Sequence, residues 1–80
     1  MERNEYLEKI NEIAKDVFDN DDVVITEAST ADDVDGWDSL THLELMTELE
    51  AEYRIKFTMN EIQNLADVGE LIDCIIKHQA

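Results

Sequence analysis

Gly36-Trp37-Asp38-Ser39-Leu40 is the point at which a polar connection turns into a helix. Glycine allows a tight turn there, and aspartate is a strong helix cap. The serine that follows falls on the first helical turn, where backbone N–H groups have no intrahelical partner. The same end carries the positive pole of the helix dipole, which suits an anion such as a phosphate. From this start, Leu40, Leu43, Met46, Leu49 and Tyr53 form one apolar stripe over residues 39–53, and Leu45 widens it. Arg54 and Lys56 follow the C-terminal end, where positive charge is favoured.

N-terminal to this stretch, Tyr6, Leu7, Ile10, Ile13, Ala14, Val17 and Phe18 repeat at helical spacing and predict a first helix over 4–18. Glu5 and Lys9 stand as an i,i+4 pair on its outer face. The run Asp19-Asn20-Asp21-Asp22 ends it and opens a long connection, 19–38. In that connection, Val23-Val24-Ile25 is expected to lie on the core without pairing as a strand. Ser29-Thr30-Ala31-Asp32-Asp33 carries turn and cap residues. So long a connection points to function or to an extra helical turn.

C-terminal to it, Thr58-Met59-Asn60-Glu61 is a capping box, and Asp67-Val68-Gly69-Glu70 is its aspartate version. They predict a short helix over 60–65, with Ile62 and Leu65 inward, and a last helix over 68–78. The last helix turns Leu71, Ile72, Ile75 and Ile76 inward and pairs Asp73 with Lys77 outside. The expected fold is all-α, a bundle of three longer helices and one short helix with a long loop between helices 1 and 2.

Eighty residues predict one domain, 1–80, with a small core and no room for a deep, enclosed active site. The net charge of −15 disfavours nucleic acid and anionic membrane surfaces and favours basic partners. The single cysteine, Cys74, cannot form an internal disulfide, which fits a reducing compartment. Met1-Glu2-Arg3-Asn4-Glu5 lacks a signal-peptide apolar core, and no apolar run nears the roughly 20 residues of a membrane span. These features predict a cytoplasmic chain without membrane insertion.

Between Lys15 and Arg54 there is no lysine or arginine, while thirteen acidic residues run from Asp16 to Glu52. Glu44, Glu48 and Glu52 fall at i, i+4 and i+8 on one face of the second helix. Like charges at this spacing cost a helix roughly 0.2–0.5 kcal/mol per pair. Such a face is either a solvated surface or a docking surface for basic partners. The second reading gains from its lying on the helix that Ser39 begins.

Four chemistries can be tested on these residues. Asp33-Val34-Asp35-Gly36 matches the middle of an EF-hand loop, but Ala31 and His42 stand where its first aspartate and last glutamate belong. Trp37-Asp38-Ser39-Leu40-Thr41 lacks the glycines of a hydrolase nucleophile elbow. His42, three residues on, then reads as a plain surface histidine. Cys74 and His78 are i,i+4, but with His42 they make no recognisable zinc motif, and no metal site is predicted. Cys74 reads as a small, half-buried helix residue. Trp37 reads as a lid on the loop–helix junction. Ser39 remains either an ordinary first-turn serine or a modification site.

Asp38-Ser39-Leu40, followed by Leu43-Glu44-Leu45 and Leu49-Glu50, resembles the phosphopantetheine attachment motif of acyl carrier proteins. Length, acidity and helix order extend the resemblance over nearly the whole chain. It implies a non-enzymatic carrier of acyl groups, held as thioesters on a 4′-phosphopantetheine arm attached to Ser39. Such carriers serve fatty-acid, lipid or secondary-metabolite synthesis. It implies as partners a phosphopantetheinyl transferase (holo-acyl-carrier-protein synthase) and acyl-transferring or acyl-activating enzymes with basic patches, met by a monomer. By this resemblance Asp38 and Leu40 flank the attachment site. Glu44 and Glu50 match its acidic docking positions on the second helix, and Glu48 and Glu52, on the same charged face as Glu44, are read as docking residues with them. Leu43, Met46, Ile62 and Leu65 become either the lining of an acyl pocket or simply core.

Trp37 departs from the small residue common there in fatty-acid carriers, Thr41 replaces a frequent acidic residue, and Ala51 interrupts an acidic pair. The Gly-Trp-Asp-Ser-Leu form looks more like specialised, stand-alone carriers. An aminoacyl or D-alanyl carrier of the same fold therefore stands as an alternative, as does an acidic interaction module that carries nothing.

Overall fold

A computed structural model describes residues 2–79; Met1 and Ala80, the ends of the predicted domain, lie outside the described residues. The described residues form four helices and no strand: α1 (Arg3–Val17), α2 (Ser39–Tyr53), α3 (Met59–Gln63) and α4 (Val68–Gln79). Each lies within a few residues of its predicted range. The largest difference is α3, which runs 59–63 rather than 60–65.

Local chemistry sets the helix ends. At the end of α1, Asp19 takes a left-handed φ of 51°, a conformation that aspartate tolerates better than most residues. Arg54 does the same after α2, at φ 55°, and its N–H closes on the Glu50 carbonyl. The Glu50 side chain then turns under the chain and accepts the Phe57 N–H at 2.8 Å. The first capping box is formed and the second only on its aspartate side. Thr58 Oγ1 accepts from Glu61 N at 3.1 Å, and Glu61 Oε1 accepts from Thr58 N at 2.8 Å. Asp67 Oδ1 accepts from Glu70 N at 2.9 Å, but Glu70 reaches back to Ala66 N, one residue before the aspartate.

The core is wholly apolar. Tyr6, Ile10 and Ala14 of α1 meet Leu45, Met46 and Leu49 of α2 and Val68, Leu71, Ile72 and Ile75 of α4. The buried stripe of α2 is thus rotated from the predicted one. Leu45 is fully buried, whereas Leu40 and Leu43 are 66% and 44% exposed. Ile76 likewise sits at the edge rather than inside. The reason is that α2 packs mainly against α1, so its contact face follows Leu45, Met46 and Leu49.

The connection 18–38 contains turns but no helix. Val23 and Ile25 are buried and Val24 is exposed, the alternation of an extended segment lying on a core. Asn11 of α1 holds it in both directions: its Nδ2 donates to Ile25 O at 2.8 Å, and its Oδ1 accepts from Ile25 N at 2.6 Å. Further along, the carbonyls of Glu27 and Ser29 accept the first N–H groups of α4, from Gly69 at 2.8 Å and Val68 at 3.0 Å. Arg3 ties the same region to the N-terminus, binding Glu27 and Asp73 at 2.5 Å each. Asp73 therefore pairs with Arg3 rather than Lys77. Lys9 approaches Glu12 and Glu52 rather than Glu5.

A buried amide that loses its partner costs about 1–3 kcal/mol. Asn11→Ala is expected to destabilise the chain within that range in equilibrium urea unfolding. Leu49→Ala, which empties a fully buried site, is expected to cost about 2–5 kcal/mol.

Candidate functional site

The connection ends in a turn that only glycine fits well. Gly36 has φ 88°, and a Cβ there would stand 3.5 Å from Phe18 Cβ. The turn buries Trp37 against Phe18, with ring centroids 5.8 Å apart, and leaves Asp38 and Ser39 exposed. Asp38 caps α2, its Oδ1 accepting the N–H groups of Leu40 and Thr41 at 3.0 Å each. Thr41 completes a reciprocal box: its Oγ1 accepts from Asp38 N at 2.8 Å and donates to Gly36 O at 2.7 Å. The Thr41 N–H above all, with its hydroxyl and the Leu40 N–H, holds the Asp38 carboxyl below the usual carboxylate range. Thr41, which departs from the acidic residue frequent there in the resembled carriers, thus locks the turn that presents Ser39.

Ser39 stands at N1 of α2 with its side chain in solvent. It borders an open groove of about 450 Å³ between α2 and α3, a volume that suits a small-molecule chain (about 300–1,000 Å³). Leu43, Ile62 and Leu65 line that groove, together with Met59 and Leu71. Met46 does not. It is 1% exposed, in the core with Leu45 and Leu49, because the rotated stripe of α2 turns it inward.

Sequence reasoning missed His42. It is half-buried rather than a plain surface residue. Trp37 Nε1 donates to its Nδ1 at 3.1 Å, and its Nε2 lies 2.9 Å from Ile62 O. With Nδ1 accepting, Nε2 carries the proton and donates to that carbonyl. The ring joins the turn, α2 and α3, and no nitrogen is left to act as a base on Ser39. Spacing alone does not reveal this, since Ile62 lies 20 residues away.

The four glutamates of α2 divide. Glu44 and Glu48 are exposed, on the face next to Leu40 and Thr47. Glu52 is exposed and 3.9 Å from Lys9. Glu50 is half-buried and occupied by the Phe57 N–H, so it is a structural acceptor rather than part of an open face. On α4, Cys74 is half-buried and donates to Glu61 Oε2 at 3.3 Å. Burial, and then that carboxylate, push its thiol up to about 11, which makes it a poor nucleophile.

A capped helix start, an exposed hydroxyl and an apolar groove beside it suit a small protein that holds and presents a group. Comparison with known proteins agrees. Residues 8–75 match the family described as phosphopantetheine attachment site. An acyl carrier protein of Rubrobacter xylanophilus is 36% identical over 80 residues, 99% of this chain and 98% of that one. One of Thermosynechococcus vestitus is 36% identical over 76 residues, 94% and 93% of the two chains. Among solved structures, the holo acyl carrier protein of Geobacter metallireducens superposes with a TM-score of 0.82 at 42% identity, covering 91% of this chain and 84% of that one. A putative acyl carrier protein of Mycobacterium tuberculosis gives 0.78 at 31%, covering 89% and 95%.

The chain belongs to the acyl carrier protein family. It is a carrier and not a catalyst, and its cofactor is a covalently attached phosphopantetheine. Its partners include a phosphopantetheinyl transferase and acyl-handling enzymes. No helix among the described residues is long and apolar enough to cross a membrane.

Two measurements check the geometry of the turn. Forcing an L-residue into the left-handed region costs about 1–2 kcal/mol, so Gly36→Ala should destabilise the fold by that amount in urea unfolding. The Asp38 carboxyl is depressed, so its cap contributes above the ordinary aspartate pKa of about 3.9. That contribution should be lost as pH falls below it. The amide proton shifts of Leu40 and Thr41 should report a single titration below that value, absent in Asp38→Asn.

Proposed function

We propose that Ser39 is the residue that carries the 4′-phosphopantetheine, within one carrier domain spanning 1–80. The observation that supports this best is the exposure of its hydroxyl on the first turn of α2, beside the α2–α3 groove. The positive end of α2 suits the phosphodiester, and nothing among the described residues covers the hydroxyl. When bound, the arm supplies a thiol that holds an acyl group as a thioester. The chain's own residues do the rest. Asp38 and Thr41 fix the turn, and Leu43, Ile62 and Leu65 offer an apolar wall to the group on the arm. Tethering replaces free diffusion by a high effective concentration at each partner.

Glu44 and Glu48 are proposed as the docking face for basic partners, with Leu40 as an exposed apolar contact between them and Ser39. Glu52 lies at the margin of this face, and Glu50 outside it. An acidic face of this kind gives fast, salt-sensitive encounters. The unpaired thiol and the acidity support a monomer working in the cytoplasm. Trp37 supports a specialised role over housekeeping fatty-acid synthesis. Its indole is committed to Phe18 and His42, so this turn is more rigidly packed than one built on a small residue would be.

Incubation of the apo chain with coenzyme A, magnesium and a broad-specificity phosphopantetheinyl transferase should add one phosphopantetheine by intact mass. Ser39→Ala should add none; an equal gain there would place the arm elsewhere. Glu44→Lys combined with Glu48→Lys should slow loading severalfold at low salt and little at high salt. An unchanged rate at low salt would remove the docking role from this face.

A further inference from the structure

On the far side of α3 from its groove-facing residues, three side chains meet that the carrier function does not use. Glu61 comes from α3, and Cys74 and His78 come from successive turns of α4. One ligand atom from each lies within 4.8 Å of the other two. His78 Nε2 is 2.9 Å from both Glu61 oxygens, and Cys74 Sγ is 3.3 Å from Oε2. All three are half-buried.

From this geometry we propose that Glu61, Cys74 and His78 form a binding site for a thiophilic divalent cation of the zinc class. Zinc takes sulfur at about 2.3 Å and nitrogen or oxygen at about 2.0 Å, so the edges of its tetrahedron run to roughly 3.3–3.5 Å. The Glu61–His78 and Glu61–Cys74 spacings reach these values with shifts of a few tenths of an ångström, and the Cys74–His78 pair lies within 4.8 Å. One thiolate, one imidazole and one carboxylate suit zinc better than magnesium or calcium, which favour oxygen alone.

The donors are also held in place. Glu61 is fixed by the Thr58 capping box, which leaves its second oxygen free of the backbone. His78 is packed edge-on against Phe57, with ring centroids 5.7 Å apart. Cys74 and His78 share one face of a regular helix at i,i+4. An open depression lined by Glu61, Asn64, Glu70, Asp73, Cys74 and Lys77 gives access from solvent on the Glu61–Cys74 side. The net charge of −15 draws cations towards the protein as a whole, although Lys77 also lines this depression. On binding, the thiol proton leaves to solvent and the thiolate takes its place on the ion. The ion then joins α3 to α4 and stiffens the wall that carries Ile62 and Leu65.

The test uses the full chain with Ser39→Ala, so that Cys74 is the one thiol in the molecule. Cobalt(II) is added without thiol reductants and followed by absorbance. One equivalent should produce a thiolate-to-cobalt charge-transfer band in the near ultraviolet and the visible bands of a tetrahedral ion, both removed by zinc. Cys74→Ser should abolish the charge-transfer band, and His78→Ala, which leaves the α3 cap intact, should weaken zinc binding at least tenfold. Zinc should raise the melting temperature of the parent and not of Cys74→Ser. The absence of a charge-transfer band at saturating cobalt would overturn the proposal. So would equal melting shifts from zinc in the parent and in Cys74→Ser, which would assign binding to surface carboxylates. Neither result bears on the role of Ser39.

Discussion

The fold depends on how a connection of twenty-one residues, 18–38, is held against three helices. Left free, a segment of that length would retain most of its conformational entropy, at roughly 1–2 kcal/mol per residue. Asn11 solves the first part. Its amide supplies a donor and an acceptor to Ile25 and so replaces a missing neighbouring strand. Ile25 can then be buried with both of its backbone groups paired. The carbonyls of Glu27 and Ser29 solve the second part by meeting the free N–H groups of α4. The connection thus becomes a cap for one helix and a lid for another. Phe18, Trp37 and Gly36 bring its end back to the bundle at the point where α2 must start.

This explains why Ser39 is both exposed and well placed. Asp38 and Thr41 consume the hydrogen bonds of the turn, so the serine need not take part in its own support. Trp37 and His42 carry the rigidity onward to the carbonyl of Ile62 and hence to α3. A carrier needs a fixed root for a flexible arm, and with the arm on Ser39, as proposed, these contacts would supply it. They also link the turn that presents Ser39 to the groove wall, because α3 and the turn share one histidine.

Much of this was legible in the residues. The helix plan followed from apolar periodicity and from two capping signals, one formed as a full box and one on its aspartate side. Asp38-Ser39-Leu40 marked the start of α2 correctly, and the resemblance it carries agrees with family membership. The rotation of α2 was not legible. Leu40 and Leu43 have the spacing of core residues, yet they are exposed because α1 takes the face centred on Leu45 and Leu49. The same rotation removed Met46 from the groove. Long-range polar pairs were equally hidden: Asn11 with Ile25, His42 with Ile62 and Glu50 with Phe57 depend on contacts that no local pattern encodes. Glu61 is the sharpest example. Read as half of a capping box, it is also the residue that turns an i,i+4 cysteine–histidine pair into three convergent donors.

With the arm on Ser39, as proposed, it lies beside the α2–α3 groove and not on the α1 side of the helix. The holo chain loaded with a carbon-13-labelled medium-length acyl group tests this directly, through isotope-filtered nuclear Overhauser contacts. The account predicts contacts from the acyl chain to the methyl groups of Leu43, Ile62 and Leu65 and none to Met46. Contacts confined to Ile13, Val17 and Thr47, on the other side of α2, would contradict it.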